Sequence, residues 1–226
     1  MNNEAYTLEQ YIFITNSLPL LKDQSISISE SNKEIFFKMC DEIDNYKNAK
    51  EKGNKLEDLV YFLIDNTPIF EGYRNLRTST NEVDIVIRLN DLGKMMLANN
   101  LIDLKSNEII IECKNYDKRK IDVTWVGKFC SLLLQSPARV GILISHKGFK
   151  GNKWDSAKGL VKKFYYHKER YEEKQYVLDI TLNELKKYVR ENNFVELILS
   201  KMAALENDTK YEQFISKHPA EDVLKK

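Results

Sequence analysis

The chain has 226 residues, enough for one good-sized domain or one domain with an appendage. Charged residues make up 31% of it, yet the formal net charge is only +1. That excludes a globally basic nucleic-acid binder, so any DNA or RNA surface must come from local clustering of Lys and Arg. The three cysteines, Cys40, Cys113 and Cys130, match no zinc spacing and read as free thiols of a reducing compartment. The opening MNNEAYTLEQ lacks the basic start and apolar run of a signal peptide, and no apolar stretch reaches the roughly 20 residues of a membrane span. A soluble, cytoplasmic protein without a membrane partner is expected.

Residues 1–50 form an N-terminal extension expected to pack on the core. The apolar YIFITNSLPLL precedes a polar run, KDQSISISESN, that reads as a loop or edge. Helical spacing follows over 34–52, with Ile35, Phe36, Met39 and Ile43 on one stripe. Gly53 and Asn54 punctuate the chain. A helix is then expected over 55–65, with Leu56, Leu59, Val60 and Leu63 facing a core. The residue before Pro68 disfavours helix and ends it. IFEGYRNL and EVDIVIRL read as strands around a polar STN turn. Residues 91–107 are an insertion with a short helix near 94–98, and EIIIECKN is a strand rich in β-branched residues.

After a basic loop, Asp122 or Thr124 opens a helix that Ser136-Pro137 stops. RVGILIS is a nearly continuous apolar run of the kind buried in a sheet centre. Residues 153–168 read as helix and QYVLDI as strand. Thr181 and Glu184 form a capping-box pattern. Residues 181–226 make a C-terminal helical region, including FVELILSKMAAL and KYEQFISK, that packs on the core or forms a partner surface. The alternation of strand and helix over 51–180 predicts an α/β fold, with a mixed central sheet flanked by helices.

Two strands carry charge where a core is expected. Side chains alternate across a strand, so Glu112 and Lys114 share one face while Ile109, Ile111 and Cys113 share the other. On the strand EVDIVIRL, Val83, Ile85 and Ile87 are expected on one face, with Glu82, Asp84 and Val86 opposite. If the strands are neighbours, Asp84 approaches Glu112. Two carboxylates brought together repel, and a divalent cation relieves the repulsion. Magnesium suits oxygen ligands and keeps several waters. Such a metal polarises a phosphate oxygen and acidifies a water, while Lys114 orients that water or stabilises developing charge. Glu57, on the preceding helix, can hold the metal through a water or reinforce the site.

With these residues the sequence resembles the PD-(D/E)xK nucleases, and its surroundings are most similar to the Mrr-type restriction-endonuclease branch. The resemblance runs from about Lys55 to Phe164. Asp84 and E112-C113-K114 match the motif, and Ser145, Gly148 and Phe149 match a Ser/Thr-x-x-Gly-Phe element after the hydrophobic strand. It implies a restriction-endonuclease-like αβββαβ core and magnesium-dependent cleavage of DNA, with manganese as a substitute. It also implies catalytic roles for Asp84, Glu112 and Lys114 and a setting in restriction or antiviral defence. Val83 stands where the motif has proline. The 91–107 insertion lengthens the spacing between Asp84 and Glu112, which makes Glu82 the alternative first acid.

Each residue also has an ordinary reading. Asp84 could make a turn or salt bridge, Glu112 and Lys114 could lie on a solvated strand, and Glu57 could be an exposed helix residue favoured by the dipole. Lys118, Arg119 and Lys120 are either a solvated charge run or phosphate contacts. Lys128, Ser145 and His146 are candidate contacts to nucleic acid at the site edge. Trp125 and Trp154 read as core, His167 and His218 as surface. Two other functions fit the same residues: an inactive nuclease-fold binding or assembly module, and a structure-selective junction resolvase. Duplex cleavage needs two cuts, which makes a homodimer or a partner protein plausible by geometry.

Overall fold

The computed structural model describes residues 22–43, 45–46, 48–77, 82–115, 119–151, 156–191 and 193–209. The expected STN turn, Lys118, Trp154, His218 and the KYEQFISK helix lie outside the described residues.

Five strands form one sheet in the order β1-β2-β3-β4-β5. They are β1 (Phe70–Arg77), β2 (Glu82–Leu89), β3 (Glu108–Lys114), β4 (Val140–Ser145) and β5 (Tyr176–Thr181). β1 to β3 are antiparallel neighbours, whereas β3, β4 and β5 run parallel. The helices are α1 (Glu30–Ile43), α2 (Ala49–Asp65), α3 (Asp91–Ala98), α4 (Val123–Leu134), α5 (Ala157–Tyr166), α6 (Leu182–Glu191) and α7 (Phe194–Glu206). Leaving aside α3, which the insertion adds, α2-β1-β2-β3-α4-β4 is the αβββαβ order expected from the sequence. Among the described residues no helix is long and apolar enough to cross a membrane.

Strand alternation divides the core into two layers. Ile85, Ile87, Ile109, Ile111, Cys113, Ile142 and Ile144 join a cluster with α1, α2, α6 and α7. Val86, Ile110, Leu143 and Val177 face the other way, against α4 and α5. β4 is buried at every position, as a central parallel strand covered on both faces must be. Residues 182–206 therefore belong to the core packing, with Phe194, Leu197 and Ile198 of α7 almost fully enclosed.

Several local expectations need correction. Residues 22–26 are helical rather than loop, and Ile26 and Ile28 are buried; two apolar residues in a polar run were enough to anchor it. Ile35 is exposed, and the buried stripe of α1 is Phe36, Cys40 and Ile43. α2 begins at Ala49 rather than near 55, because the Asn48 side chain caps it by accepting from the Lys50 N–H at 2.9 Å. Gly53 is thus carried inside a helix, where it costs about 1 kcal/mol relative to Ala. Val83 packs with Val86 in the α4–α5 layer, not with Ile85 and Ile87. Val83 is still paired with Leu76 of β1 there, but lies past the last β2–β3 pair at Ile85.

Candidate active site

The last paired residues of β2 and β3 are Ile85 and Ile111. Beyond that point Asp84 reaches across, and its Oδ2 accepts a hydrogen bond from the Cys113 N–H at 2.8 Å. A side-chain carboxylate thereby takes the place of a main-chain acceptor, which pins Asp84 beside the segment that carries Glu112 and Lys114. Lys114 Nζ donates to Glu112 Oε1 in close contact. Both side chains are largely enclosed, at 19% and 16% exposed. The Cys113 thiol faces the opposite core layer, and burial first, then the nearby carboxylates, hold it well above its usual pKa, so it remains an inert thiol.

The electrostatics follow from this crowding. Burial, then repulsion from Asp84, pushes the Glu112 pKa up, against the pull of Lys114. Asp84 is raised by burial despite its hydrogen bond from Cys113 and the nearby Lys114. Glu57, brought in from α2, is raised by burial and then by Asp84, with Arg74 and Lys114 opposing and Glu112 adding to the rise. Three carboxylates thus share one region with a single strand lysine. Arg74, the next cation, is occupied by Asp58 at 2.8 Å.

Asp84 uses Oδ2 for the Cys113 N–H and Glu112 uses Oε1 for Lys114, so each carboxylate meets its partner through one oxygen. Hard oxygen donors with surplus negative charge fit magnesium, which needs only one or two protein carboxylates and keeps its waters. Among the described residues no three His, Cys, Asp or Glu side chains form a ready-made metal cage. The candidate donors are the Asp84 and Glu112 carboxylates, with Glu57 in electrostatic reach of both.

Trp125, which the sequence assigns to the core, sits between two cations. Lys114 Nζ lies 5.0 Å and Lys128 Nζ 4.9 Å from its ring centroid. Glu82, Glu112, Trp125 and Lys128 line one small cavity, so Lys128 does face the site. Glu82 is exposed and pairs with Arg77 at 3.5 Å, whereas Asp84 is the acid held against β3. The signal for Trp125 was its position in the first turn of α4, directly after the basic loop.

The remaining expected residues fall nearby with different degrees of commitment. Arg119 and Lys120 are exposed beyond β3. Ser145 is 1% exposed, and its hydroxyl accepts from the Gly148 N–H at 2.9 Å, so it holds the turn after β4. His146 follows it, half-buried. The Gly-Phe element is explained by that turn. Gly148 takes φ +67°, and a Cβ there would meet the Asp179 carboxylate at 2.8 Å. Phe149 donates its N–H to Asp179 Oδ2 at 2.8 Å and bridges Ile121. Asp179 escaped the sequence reading, although a carboxylate in the apolar run QYVLDI was its signal.

The model of a family described as restriction endonuclease, of the Mrr catalytic type, matches residues 50–165. The DNA-directed RNA polymerase subunit beta of three strains of Mesomycoplasma hyopneumoniae (7448, J and 232) is in each case 22% identical over 134 residues, which covers 58% of this chain. This chain spans 11% of the length of those curated relatives. No solved structure matches the chain.

Proposed function

The chain belongs to the restriction endonuclease family, and from that membership we propose that it hydrolyses phosphodiester bonds in DNA with the help of a divalent metal, in a restriction or antiviral-defence role. The observation that carries the proposal is the splayed end of β2 and β3, where Asp84 is anchored on the Cys113 N–H beside the Glu112–Lys114 contact. In this reading Asp84 and Glu112 hold the metal, magnesium or manganese. When bound, it would polarise a phosphate oxygen and acidify a water.

The chain's own residues do the rest. Lys114 is held at the carboxylate pair by Glu112 and by the face of Trp125, and it donates to the phosphate as negative charge develops. Glu57 adds negative charge behind Asp84 and favours cation binding. Arg119, Lys120 and Lys128 contact phosphates at the mouth of the site, and His146 lies at its edge. All three cysteines are buried and none is in a disulfide, which suits a reducing cytoplasm. A homodimer would supply the two cuts that a duplex requires.

Incubation of plasmid DNA with the protein and Mg²⁺, Mn²⁺ or EDTA tests the reading. Nicking and linearisation should require the metal and should be absent in Lys114→Ala. Equal cutting by Lys114→Ala would refute the assignment. Metal-independent binding without any cutting would instead favour a nuclease-fold binding module. A strong preference for four-way junctions over linear duplex would favour a resolvase.

A further inference from the structure

Glu112 of β3, Leu143 of β4 and Asp179 of β5 are in register. Side chains in one row of a parallel sheet point to the same face, so Asp179 lies on the Glu112 face. Two strand spacings, about 10 Å, separate them. On that face, beyond the Ile121–Phe149 bridge, opens a second cleft of ≈ 490 Å³. Lys120, Lys147, Lys158, Lys162 and Lys201 line it. They come from a loop, the turn after β4, α5 and α7, and no segment of sequence shows them together. Half-buried Leu205 supplies apolar surface between them, backed by the almost fully enclosed Phe149, Val161 and Val177.

Among the described residues the charge in this cleft is only partly balanced from within. Lys201 is paired to Glu184 at 2.7 Å, and Lys162 to Asp208. Lys120, Lys147 and Lys158 make no ion pair among the described residues and are exposed. Lys158 also occupies the first turn of α5, where a carboxylate would be favoured and none is present. Three unpaired ammonium groups beside a helix N-terminus call for an anion. The volume is that of a small-ligand site.

We propose that this cleft is a nucleotide subsite: its lysines take phosphate, its apolar wall takes the face of a base, and a nucleic-acid strand leaving the Asp84–Glu112 centre enters it. The ligand class rests on the nuclease reading; the cleft itself does not depend on cleavage. The nucleotide could come from the substrate strand or from solution. Asp179 sets the lower limit of affinity. Its Oδ2 is held by the Phe149 N–H, while its Oδ1 is shut from solvent without a hydrogen-bond partner. Burial holds its carboxyl above the ordinary range, while the Phe149 N–H, Lys201 and Lys158 pull it back down. In its ionised form it is a negative charge in the wall of an anion site, and removing it should tighten binding.

The experiment measures binding of a short labelled single-stranded oligodeoxynucleotide and of free deoxyadenosine monophosphate to the full chain, in EDTA, over a range of salt. Lys147→Ala combined with Lys158→Ala should weaken oligonucleotide binding about tenfold at low salt and reduce the salt slope by about 1.4, the value for two phosphates of a single strand. Asp179→Asn, whose amide oxygen can still accept from Phe149, should strengthen binding several-fold. A purely structural role for Asp179 would not give that opposite sign. Lys158→Glu, at an exposed position, serves as a second variant and should weaken binding further than Lys158→Ala. Response of the mononucleotide to the same substitutions places a free nucleotide in the cleft; response of the oligonucleotide alone places the substrate strand there. Unchanged binding in the lysine variants, or weakening in Asp179→Asn with its melting temperature kept, overturns the proposal. A parent protein that binds in this way but never cuts plasmid removes the nuclease reading and leaves the cleft. One that cuts while the variants bind normally does the reverse.

Discussion

Glu112→Gln should make the metal-free protein more stable while removing its activity. In the folded chain the Glu112 carboxylate is 16% exposed, beside Asp84 and in contact with Lys114. Contact with Lys114 is worth about 4 kcal/mol of attraction at an effective permittivity near 20. Desolvation of two enclosed charges offsets most of that, and Asp84 adds repulsion. The Glu112 pKa is raised above its ordinary 4.5, so burial and repulsion outweigh the lysine. A raised carboxyl pKa means that the ionised form costs stability at neutral pH, and that the cost disappears as pH falls through the raised value towards 4.5. Gln keeps an acceptor for Lys114 and carries no charge. We expect a gain of about 1 kcal/mol in EDTA, or roughly 2–4 °C in Tm, largest near pH 7 and vanishing towards the acid end of that window. Magnesium should then raise the parent by about 2.7 kcal/mol at a hundredfold excess over Kd, and Glu112→Gln by far less. Cleavage should fall by at least about 10²–10³-fold. Thermal melting of both proteins in EDTA and in Mg²⁺ checks this. A less stable Glu112→Gln in EDTA, or equal magnesium shifts in the two proteins, would refute the reasoning.

Three further substitutions probe the scaffold around the site. Glu184 closes a reciprocal capping box with Thr181 and pairs with Lys201 at 2.7 Å, so Glu184→Ala should cost about 2–3 kcal/mol, read as a fall of roughly 5–10 °C in Tm. Burial alone would raise the Glu184 pKa, but Lys201 and the Thr181 donors hold it below 4.5; its contribution is full above that pH and is lost as pH falls through the lowered value, so the parent–variant gap should close in acid. Gly141→Ala would place a Cβ 2.7 Å from the Phe129 ring and 3.3 Å from Leu133, and overpacking of that kind costs about 1–3 kcal/mol by denaturant unfolding. Ser145→Ala leaves the Gly148 N–H without its acceptor in a buried turn; a loss of about 1–3 kcal/mol is expected, with faster hydrogen exchange at Gly148 and Phe149.

Much of the fold could be read from periodicity, because the elements that make the sheet are short apolar runs with clean ends. β2 and β3 fall where EVDIVIRL and EIIIECK place them, and the capping box at Thr181 is satisfied as its spacing predicts. Burial by tertiary contact was less legible. Ile26 and Ile28 sit in a polar run, and only the core they enter distinguishes them from loop residues. The start of α2 was missed because Gly53 is a breaker by propensity, while the deciding interaction is a single cap at Asn48. Val83 shows the limit of the alternation rule: it is still paired with Leu76 of β1, but it lies past the last β3 pair and packs in the other layer.

The candidate site divides along the same line. Glu112 and Lys114 are two residues apart on one strand, so their common face is a local property that sequence can state. The placement of Asp84 is not local. It depends on where β2 and β3 stop pairing, and the 91–107 insertion between them conceals this from any spacing argument. The Cys113 N–H holds Asp84 against β3, whereas Glu82 pairs with Arg77 and lines the small cavity it shares with Glu112. The basic surface is the least local feature of all. A chain of net charge +1 required its cations to cluster, and the run at 118–120 was the visible candidate. The larger cluster is assembled from Lys120, Lys147, Lys158, Lys162 and Lys201, which share no run and meet only because β4 and β5 end side by side. In a near-neutral chain of this kind, where the lysines gather is set by which elements adjoin rather than by how many lysines there are.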